Sequence, residues 1–310
     1  MCDRDRGSPF ILLFTTGKKR PMSIDHIIDS LPPLPLTVSN VIKVSTNPES
    51  SAADLVKVIL PDQTMCAAIL KIANSVLYGQ SKKIGSLQTA IVVLGFKEVQ
   101  SIVMGKAAIS TFRQSLKEHK AEINRFWEHA FGCGLAAKII AENLGFSTGE
   151  FFMAGLLHDI GKLVLFLALP DLYQPGEWMS SFSSKEHLAL EKQRFTVSHD
   201  AVGGRLFRKW LFPEHLVIAL ENHHCPELAS VSSEFPLILQ LADLMSYLSS
   251  NPQLVEGRDF LSVIEEYLPG IASRWEKGKL LWNPSVIDSW FAWLKIDLVH
   301  GSSIIDILTV

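Results

Sequence analysis

The chain has 310 residues, and 47% of them are hydrophobic, which is enough to build one large domain or two of ordinary size. Its 29 basic and 32 acidic residues give a formal net charge of −3, which excludes the strongly basic character typical of proteins that bind DNA or anionic membranes. The four cysteines form no Cys-X-X-Cys pair, and no apolar run approaches the roughly 20 residues that span a bilayer. We therefore expect a cytoplasmic protein with reduced thiols, no DNA partner and no membrane partner.

The first third of the chain predicts a set of short helices. Residues 1–21 are predicted to be a loose tail, so Met22 is a candidate for the true start. Ser23 is a suitable N-cap for the first helix, and the three prolines within 31–35 force an extended link after it. Further helical patterns follow at 37–46, 51–60, 64–78, 87–94 and 97–112. Because short links join them, we assign residues 22–114 to one helical N-terminal subdomain.

The rest of the chain also has helical spacing and no convincing strand pattern, so we predict an all-α fold. A polar segment at 115–122 is either a connection or the exposed start of the next helix. The helical patterns that follow are 125–144, 151–169, 185–194, 198–211, 213–224 and 236–249, with a long loop at 170–184. We assign 115–250 to a helical bundle packed on the N-terminal subdomain. We assign 251–310 to a Trp-rich helical extension, in which 302–310 is either a strand or a frayed end.

The segment 155–162 places an adjacent His and Asp inside an otherwise apolar helical pattern. His158 lies on the apolar stripe, and Asp159 is rotated by about 100° from it on the same predicted helix. A carboxylate at the edge of a buried stripe is costly unless it is paired or bound to a metal. For the pair alone, a core His that hydrogen-bonds to the Asp is the simpler interpretation.

The rest of the chain makes a metal site the better interpretation, because it has further imidazole and carboxylate groups at positions where the core of a helical bundle usually has Leu. These are His129, His199, His223, His224 and Asp243. Each alone could be an ordinary core residue or helix end, but together with the His-Asp pair they suit zinc, iron, manganese or nickel. Seven groups are too many for one ion and suit two ions bridged by one carboxylate. Gly161, Gly203 and Gly204 would allow close backbone approach near such a site.

The remaining histidines lack a comparable apolar context, and we assign them to the surface or to local structure. They are His26, His119, His187, His215 and His300. The tryptophans of the C-terminal extension are either a contact surface or the core of its helices, and we favour the core.

The order of these residues resembles the HD superfamily of metal-dependent phosphohydrolases, and the resemblance includes the phrase at 158–162, His-Asp-Ile-Gly-Lys. The first half resembles a narrower family, the HDOD domain of bacterial signalling proteins, in the phrases at 31–35, 72–75 and 90–95. Together the two resemblances cover about residues 22–250. They imply a bacterial signal-transduction protein that retains an HD-type metal site and acts mainly through contacts with a protein partner.

The resemblance to HD enzymes implies specific roles. One ion would be held by His129, His158, Asp159 and Asp243, and Asp159 would bridge to a second ion held by His199, His223 and His224. A metal-bound water would be the nucleophile. Lys162 would steady a phosphate oxygen, or it is simply a solvated residue. Asp159 and Lys162 are thus the candidate catalytic residues.

Two departures and two alternatives complete the sequence-based interpretation. The Gly-Tyr-Pro segment of cyclic-di-GMP phosphodiesterases does not follow the paired histidines, and Arg125 stands one turn before His129 where some trinuclear members have Glu. Both argue against a third metal and against cyclic-di-GMP. The first alternative to signalling through protein contacts is an active phosphohydrolase or phosphodiesterase on a nucleotide or other phosphoester. The second is a metal or redox sensor in which iron occupancy changes the bundle.

Overall fold

A computed structural model describes residues 23–75, 78, 83–170, 172–173, 185–230 and 234–309. Within these ranges the regular structure is helical and contains no strand, which confirms the all-α prediction. The N-terminal helices are α1 (Ile24–Ser30), α2 (Leu36–Thr46), α3 (Ala52–Ile59), α4 (Gln63–Ala73), α5 (Leu87–Leu94) and α6 (Phe96–Ser115). The helices that follow are α7 (Lys120–Asn143), α8 (Thr148–Leu157), α9 (Ile160–Ala168), α10 (Lys185–Phe195), α11 (His199–Lys209), α12 (Glu214–Glu221), α13 (Glu234–Ser250), α14 (Phe260–Tyr267), α15 (Ile271–Lys277) and α16 (Pro284–Thr309).

The N-terminal helices begin at side chains that cap their first turns. Ser23 accepts a hydrogen bond from the backbone N–H of His26, and Ser51 and Asp54 form a reciprocal capping box at the start of α3. Helix α4 ends earlier than predicted because the Asn74 side chain donates to the carbonyls of Leu70 and Ile84 and accepts from the Ile84 N–H. These bonds turn the chain away from the helix axis.

A glycine separates the last two helices of this subdomain. Gly95 has a φ of +83°, a conformation that side-chain-bearing residues rarely adopt, and α5 and α6 meet there at 109°. This bend lets the long helix α6 contact α2 on one side and α8 of the bundle on the other. The N-terminal subdomain therefore packs directly on the bundle, as predicted.

Helix α7 is the centre of the bundle and contacts α8, α13 and α16. Small residues allow α7 and α8 to approach closely, because a Cβ on Gly155 would lie 2.7 Å from the carbonyl oxygen of Cys133. Helix α9 packs in the same way on α11, where a Cβ on Gly161 would lie 1.9 Å from the carbonyl oxygen of His199. The glycine at this position brings the start of α11 against the His-Asp pair.

Two sequence-based predictions about the segment that contains α8 and α9 need correction. The helix predicted at 151–169 is interrupted at His158 and Asp159, where α8 ends and α9 begins. In addition, Thr148–Ala168 is long and apolar enough to cross a membrane by length and composition, although we expected no such stretch. Other parts of the protein bury 94% of its most apolar window. It is therefore apolar because it is the core of the bundle.

The C-terminal extension packs on both parts of the protein, because α16 contacts α7, α6 and α4. The chain stays helical to Thr309, so the strand suggested for 302–310 is wrong. Trp275 and Trp290 are fully buried, as the core interpretation expects, whereas Trp293 is 44% exposed. The predicted loop at 170–184 and the predicted tail at 1–21 lie mostly outside the described residues.

Two of the cysteines in the described parts of the chain, Cys66 and Cys133, have free thiols.

Candidate metal centre

Five elements of the bundle bring the seven predicted ligands together. The middle of α7, the break between α8 and α9, the first residue of α11, the turn after α12 and the middle of α13 supply them. In this order the residues are His129, the pair His158 and Asp159, His199, the pair His223 and His224, and Asp243. Six of the seven are buried, and the side chain of His129 is 24% exposed.

The first group of ligand atoms surrounds one oxygen of Asp243. His129 Nε2 lies 3.0 Å and His158 Nε2 lies 3.6 Å from Asp243 Oδ1. His158 Nε2 is also 3.2 Å from Asp159 Oδ2. Two imidazoles and two carboxylates therefore face one point at the partly open side of the site.

The second group surrounds the other oxygen of Asp159. Asp159 Oδ1 lies 3.1 Å from His199 Nε2 and 3.8 Å from His223 Nε2, and His199 Nε2 is 3.0 Å from His224 Nε2. All four of these side chains are buried. Asp159 thus presents Oδ2 to the first group and Oδ1 to the second, which is the placement that a bridging carboxylate needs.

Several atoms of the cluster are buried without a hydrogen-bond partner, although an unpaired buried polar group costs roughly 1–3 kcal/mol. These atoms are His158 Nε2, Asp159 Oδ1, His223 Nε2 and Asp243 Oδ2. Nitrogen atoms that each lie about 2.1 Å from one ion are about 3.0–3.4 Å apart, which agrees with the 3.0 Å between His199 and His224. The nitrogen and oxygen donors, their spacing and their unpaired atoms all fit a bound metal ion.

The other ring nitrogens of two histidines are fixed by backbone carbonyls. His158 Nδ1 lies 2.7 Å from the carbonyl oxygen of Gly155, and His223 Nδ1 lies 2.6 Å from that of Leu220. A carbonyl only accepts, so each Nδ1 carries a proton and each Nε2 is the ring atom directed into the cluster. The helix ends that precede these residues therefore set the tautomer that a metal requires.

Burial and neighbouring charges shift the pKa values of two ligands in the cluster. Burial opposes ionisation of Asp159, but His158 and Lys162 outweigh it and hold the pKa of Asp159 well below its usual value. Lys162 Nζ is 2.5 Å from Asp159 Oδ2. Burial, followed by the neighbouring His223 and His199, depresses the pKa of His224 well below its usual value. Asp159 is thus an anion and His224 a neutral imidazole at neutral pH, the forms in which both can bind a metal.

The C-terminal extension supports this cluster through a chain of hydrogen bonds. Gln240 of α13 donates from Nε2 to the carbonyl oxygen of His224 at 3.0 Å. Arg274 of α15 donates in turn to Gln240 Oε1 at 3.2 Å. The Trp-rich region therefore contributes to the position of the His223–His224 turn, a role that the sequence did not indicate.

Sequence reasoning missed one buried residue beside the cluster. Glu191 of α10 is 3% exposed, and its Oε2 lies 2.7 Å from His199 Nδ1. His187, which we had assigned to the surface or to local structure, lies 3.5 Å from Glu191 Oε1. Both residues stand in a helix rich in charged residues, where nothing in the sequence distinguishes them from a solvated face.

A family model for the HDOD domain matches residues 31–226. The chain belongs to the HDOD domain family. Among curated proteins, an uncharacterized protein of Treponema pallidum (strain Nichols) is 26% identical to this chain over 213 residues, which is 68% of this chain and 40% of that protein. The chain therefore spans about two fifths of the length of this relative.

Solved structures of similar proteins have the same HDOD fold. An HDOD domain protein of unknown function from Geobacter sulfurreducens has a TM-score of 0.68 and 23% identity, covering 92% of this chain and 96% of that one. A provisionally named signal transduction protein from Marinobacter aquaeolei VT8 has a TM-score of 0.66 and 20% identity, and the match covers 95% of this chain and 63% of that one. A provisionally named metal-dependent phosphohydrolase from Shewanella amazonensis SB2B has a TM-score of 0.58 and 19% identity, covering 89% and 96%.

Proposed function

We propose that this HDOD protein binds two divalent transition metal ions, iron, manganese, nickel or zinc, and that the metal-loaded bundle is a bacterial, cytoplasmic signal-transduction module that acts through protein contacts. One observation carries the proposal: Asp159 is buried and offers one carboxylate oxygen to each of two ligand groups. His129, His158 and Asp243 would hold one ion. His199, His223 and His224 would hold the other.

The burial of the cluster favours a signalling role over turnover of a substrate. The side chains of His158, His199 and His223 have no exposed surface, and that of Lys162 is 5% exposed. Lys162 also contacts Asp159 directly, so its ammonium group balances the carboxylate charge. His129 is the one partly exposed residue among the seven candidate ligands, so the other six offer little surface to a phosphoester. Ions in such a place stabilise the packing of α7, α9, α11 and α13 against one another.

A groove between α7 and α16 supports the protein-contact part of the proposal. It has a volume of about 420 Å³ and is lined by Ile139, Glu142, Asn143, Trp293, Ile296 and Asp297. No hydrogen bond or ion pair within the described parts of the chain involves the carboxylates of Glu142 and Asp297, although the positive charges of Lys138 and His300 act on Asp297 from a distance. A groove that combines an exposed indole with two carboxylates suits a guanidinium or ammonium group. The partner that fits is therefore a protein segment with Arg or Lys beside apolar residues.

The metal part of the proposal is tested by elemental analysis of protein purified without added metal or chelator. We expect about two equivalents of transition metal in the wild type and a loss of both in Asp159→Ala. The matched control is Asp288→Asn, which changes an exposed aspartate of α16 and should keep both ions. Folded wild-type protein without metal would overturn the proposal.

The contact part is tested with a fluorescent nonapeptide of alternating Arg and Leu and with a second peptide in which Glu replaces Arg. Only the basic peptide should bind, and Trp293→Ala should weaken its binding by about tenfold or more. Leu281→Ala, which truncates another exposed apolar side chain, is the control. Equal binding of the basic peptide to wild type and Trp293→Ala would exclude the groove as the contact surface.

Hydrolysis of a nucleotide or other phosphoester is the second candidate function. The complete ligand set and the cationic Lys162 beside Asp159 favour it. When bound, the ions would supply Lewis acidity and lower the pKa of water. The test is a phosphoester panel with metal-loaded wild type, Asp159→Ala and Asp288→Asn. Activity lost only in Asp159→Ala would establish the hydrolase, whereas inactivity of fully loaded wild type would leave signalling as the function.

A further inference from the structure

Both carboxylate oxygens of Glu191 form hydrogen bonds, one with the candidate ligand His199 and the other with a residue outside the site. Its Oε2 accepts from the backbone N–H of His199 at 2.8 Å and lies 2.7 Å from His199 Nδ1. Its Oε1 accepts from the Tyr173 hydroxyl at 2.7 Å. Glu191 is 3% exposed, so these bonds form away from water, where they are strongest.

The contact to Nδ1 distinguishes His199 from the other buried ligands. Neutral backbone carbonyls hold the Nδ1 atoms of His158 and His223, whereas a carboxylate holds that of His199. A carboxylate behind an imidazole fixes its tautomer and makes the opposite nitrogen a stronger donor to a metal. In the metal-free protein, burial opposes protonation of His199, yet Glu191 and Asp159 raise its pKa to about 9.

The contact to the backbone fixes where this imidazole stands. His199 is the first residue of α11, whose N-cap, Ser198, makes no side-chain capping bond. The Glu191 carboxylate satisfies the N–H of His199 in its place, at the positive end of the helix dipole. The same residue thus sets both the position of the His199 backbone and the orientation of its ring.

We propose that Glu191 is the positioning residue of the site, and that it strengthens metal binding selectively in the group formed by Asp159, His199, His223 and His224. This inference rests on the proposed two-metal function. Tyr173 holds the second oxygen of Glu191 and supports the same position from outside α10. The group with His129 and Asp243 has no contact to Glu191 among the described residues and should keep its ion when Glu191 is changed.

The experiment is a titration of metal-free protein with Co²⁺, followed by its visible absorption and by calorimetry, which separate two binding steps. Glu191→Ala should weaken one step by about 10–100-fold and leave the other unchanged. Glu191→Gln keeps the shape and an accepting oxygen but removes the charge, so it should restore part of the lost affinity. Glu98→Gln is the matched control, because Glu98 is an equally buried glutamate that pairs with Lys138 away from the site.

A second readout needs no metal. Ring ¹⁵N shifts of metal-free protein, recorded at a pH above the pKa of His199 so that the ring is neutral, should show the Nδ1–H form of His199 in wild type and a mixture of tautomers in Glu191→Ala. Wild type that binds two ions, with both steps and the His199 tautomer unchanged in the Glu191 variants, would overturn the inference but leave the metal site intact. Wild type that binds no ion would overturn the proposed function itself.

Discussion

The interiors of the N-terminal subdomain and of the bundle are equally buried, but they differ in the polar groups that they contain. In the subdomain the positions without exposed surface are apolar, as at Val38, Val41, Leu55 and Ile59. In the bundle, several side chains just as deeply buried are imidazoles and carboxylates that lie close to one another, and several of their atoms lack a hydrogen-bond partner. Burial of aliphatic groups stabilises a fold, whereas unpaired polar groups destabilise it.

This difference indicates that the bundle core serves a purpose other than stability of the fold. The aliphatic core and the capped helices of the subdomain explain its fold without any ligand. The bundle core is explained only when the unpaired atoms of His158, Asp159, His223 and Asp243 have a shared partner. The stability of the bundle should therefore depend on bound metal, whereas that of the subdomain should not.

Removal of metal should give the largest effect, and only through the bundle. An ion at about 1,000 times its Kd stabilises the native state by about 4 kcal/mol. We therefore expect a chelator to lower the free energy of unfolding of the wild type by about that amount for each ion. The measurement is thermal or denaturant unfolding with and without chelator. Folded Asp159→Ala should be insensitive to the chelator, and an insensitive wild type would contradict the comparison.

Truncation of the aliphatic core should give the next largest effect and leave the metal in place. Ile59→Ala removes a side chain that is fully buried in α3 and should destabilise the protein by about 3 kcal/mol. Metal content at a temperature where the variant is folded should equal that of the wild type. Loss of metal in this variant would mean that the two regions are coupled more tightly than their chemistry indicates.

A methyl group at the contact between α9 and α11 should disturb both stability and metal binding. The Cβ of Gly161→Ala would lie 1.9 Å from the carbonyl oxygen of His199, so the two helices must separate. We expect a loss of about 2 kcal/mol and a lower metal content. Gly85→Ala is the control, since no atom lies within 4 Å of its Cβ. Equal metal content in both variants would show that the contact does not position His199.

The smallest effect is expected at a helix cap in the subdomain. Ser51→Ala removes the capping box of α3 and should cost about 1 kcal/mol in chemical denaturation. Metal content should not change, because the cap lies in the region whose stability is independent of metal. A change in metal content in Ser51→Ala would show that the subdomain is not independent of the metal site.

Much of the fold was accessible from the sequence because helix periodicity and capping are local properties. Ser23, Ser51 and Gly95 mark helix ends where the structure places them. The interruption at His158 and Asp159 was not accessible, since the apolar pattern continues through it and only the packing of α11 on Gly161 favours the break. The strand alternative for 302–310 arose from its apolar composition, which instead serves the packing of α16.

The candidate ligands were accessible for a different reason. Each of them lies within or next to an apolar helical pattern, so a polar residue at such a position can be recognised from the sequence alone. Glu191 gave no such signal, because it stands among charged residues and its partners in α11 and at Tyr173 are recognised only in three dimensions. The assignment of ligands to two ions, and the domain boundaries, stay predictions.

Asp159 would bridge the two proposed ions, and electron paramagnetic resonance of Mn²⁺-loaded protein detects such a bridge. A bridged pair is exchange-coupled, and its hyperfine lines have half the spacing of those from an isolated Mn²⁺ ion. We predict this coupled spectrum for the wild type and for Asp288→Asn. Asp159→Asn, which removes the bridging charge with little change of shape, should give only the isolated-ion spectrum. An isolated-ion spectrum from wild type that holds two equivalents of Mn²⁺ would contradict the account.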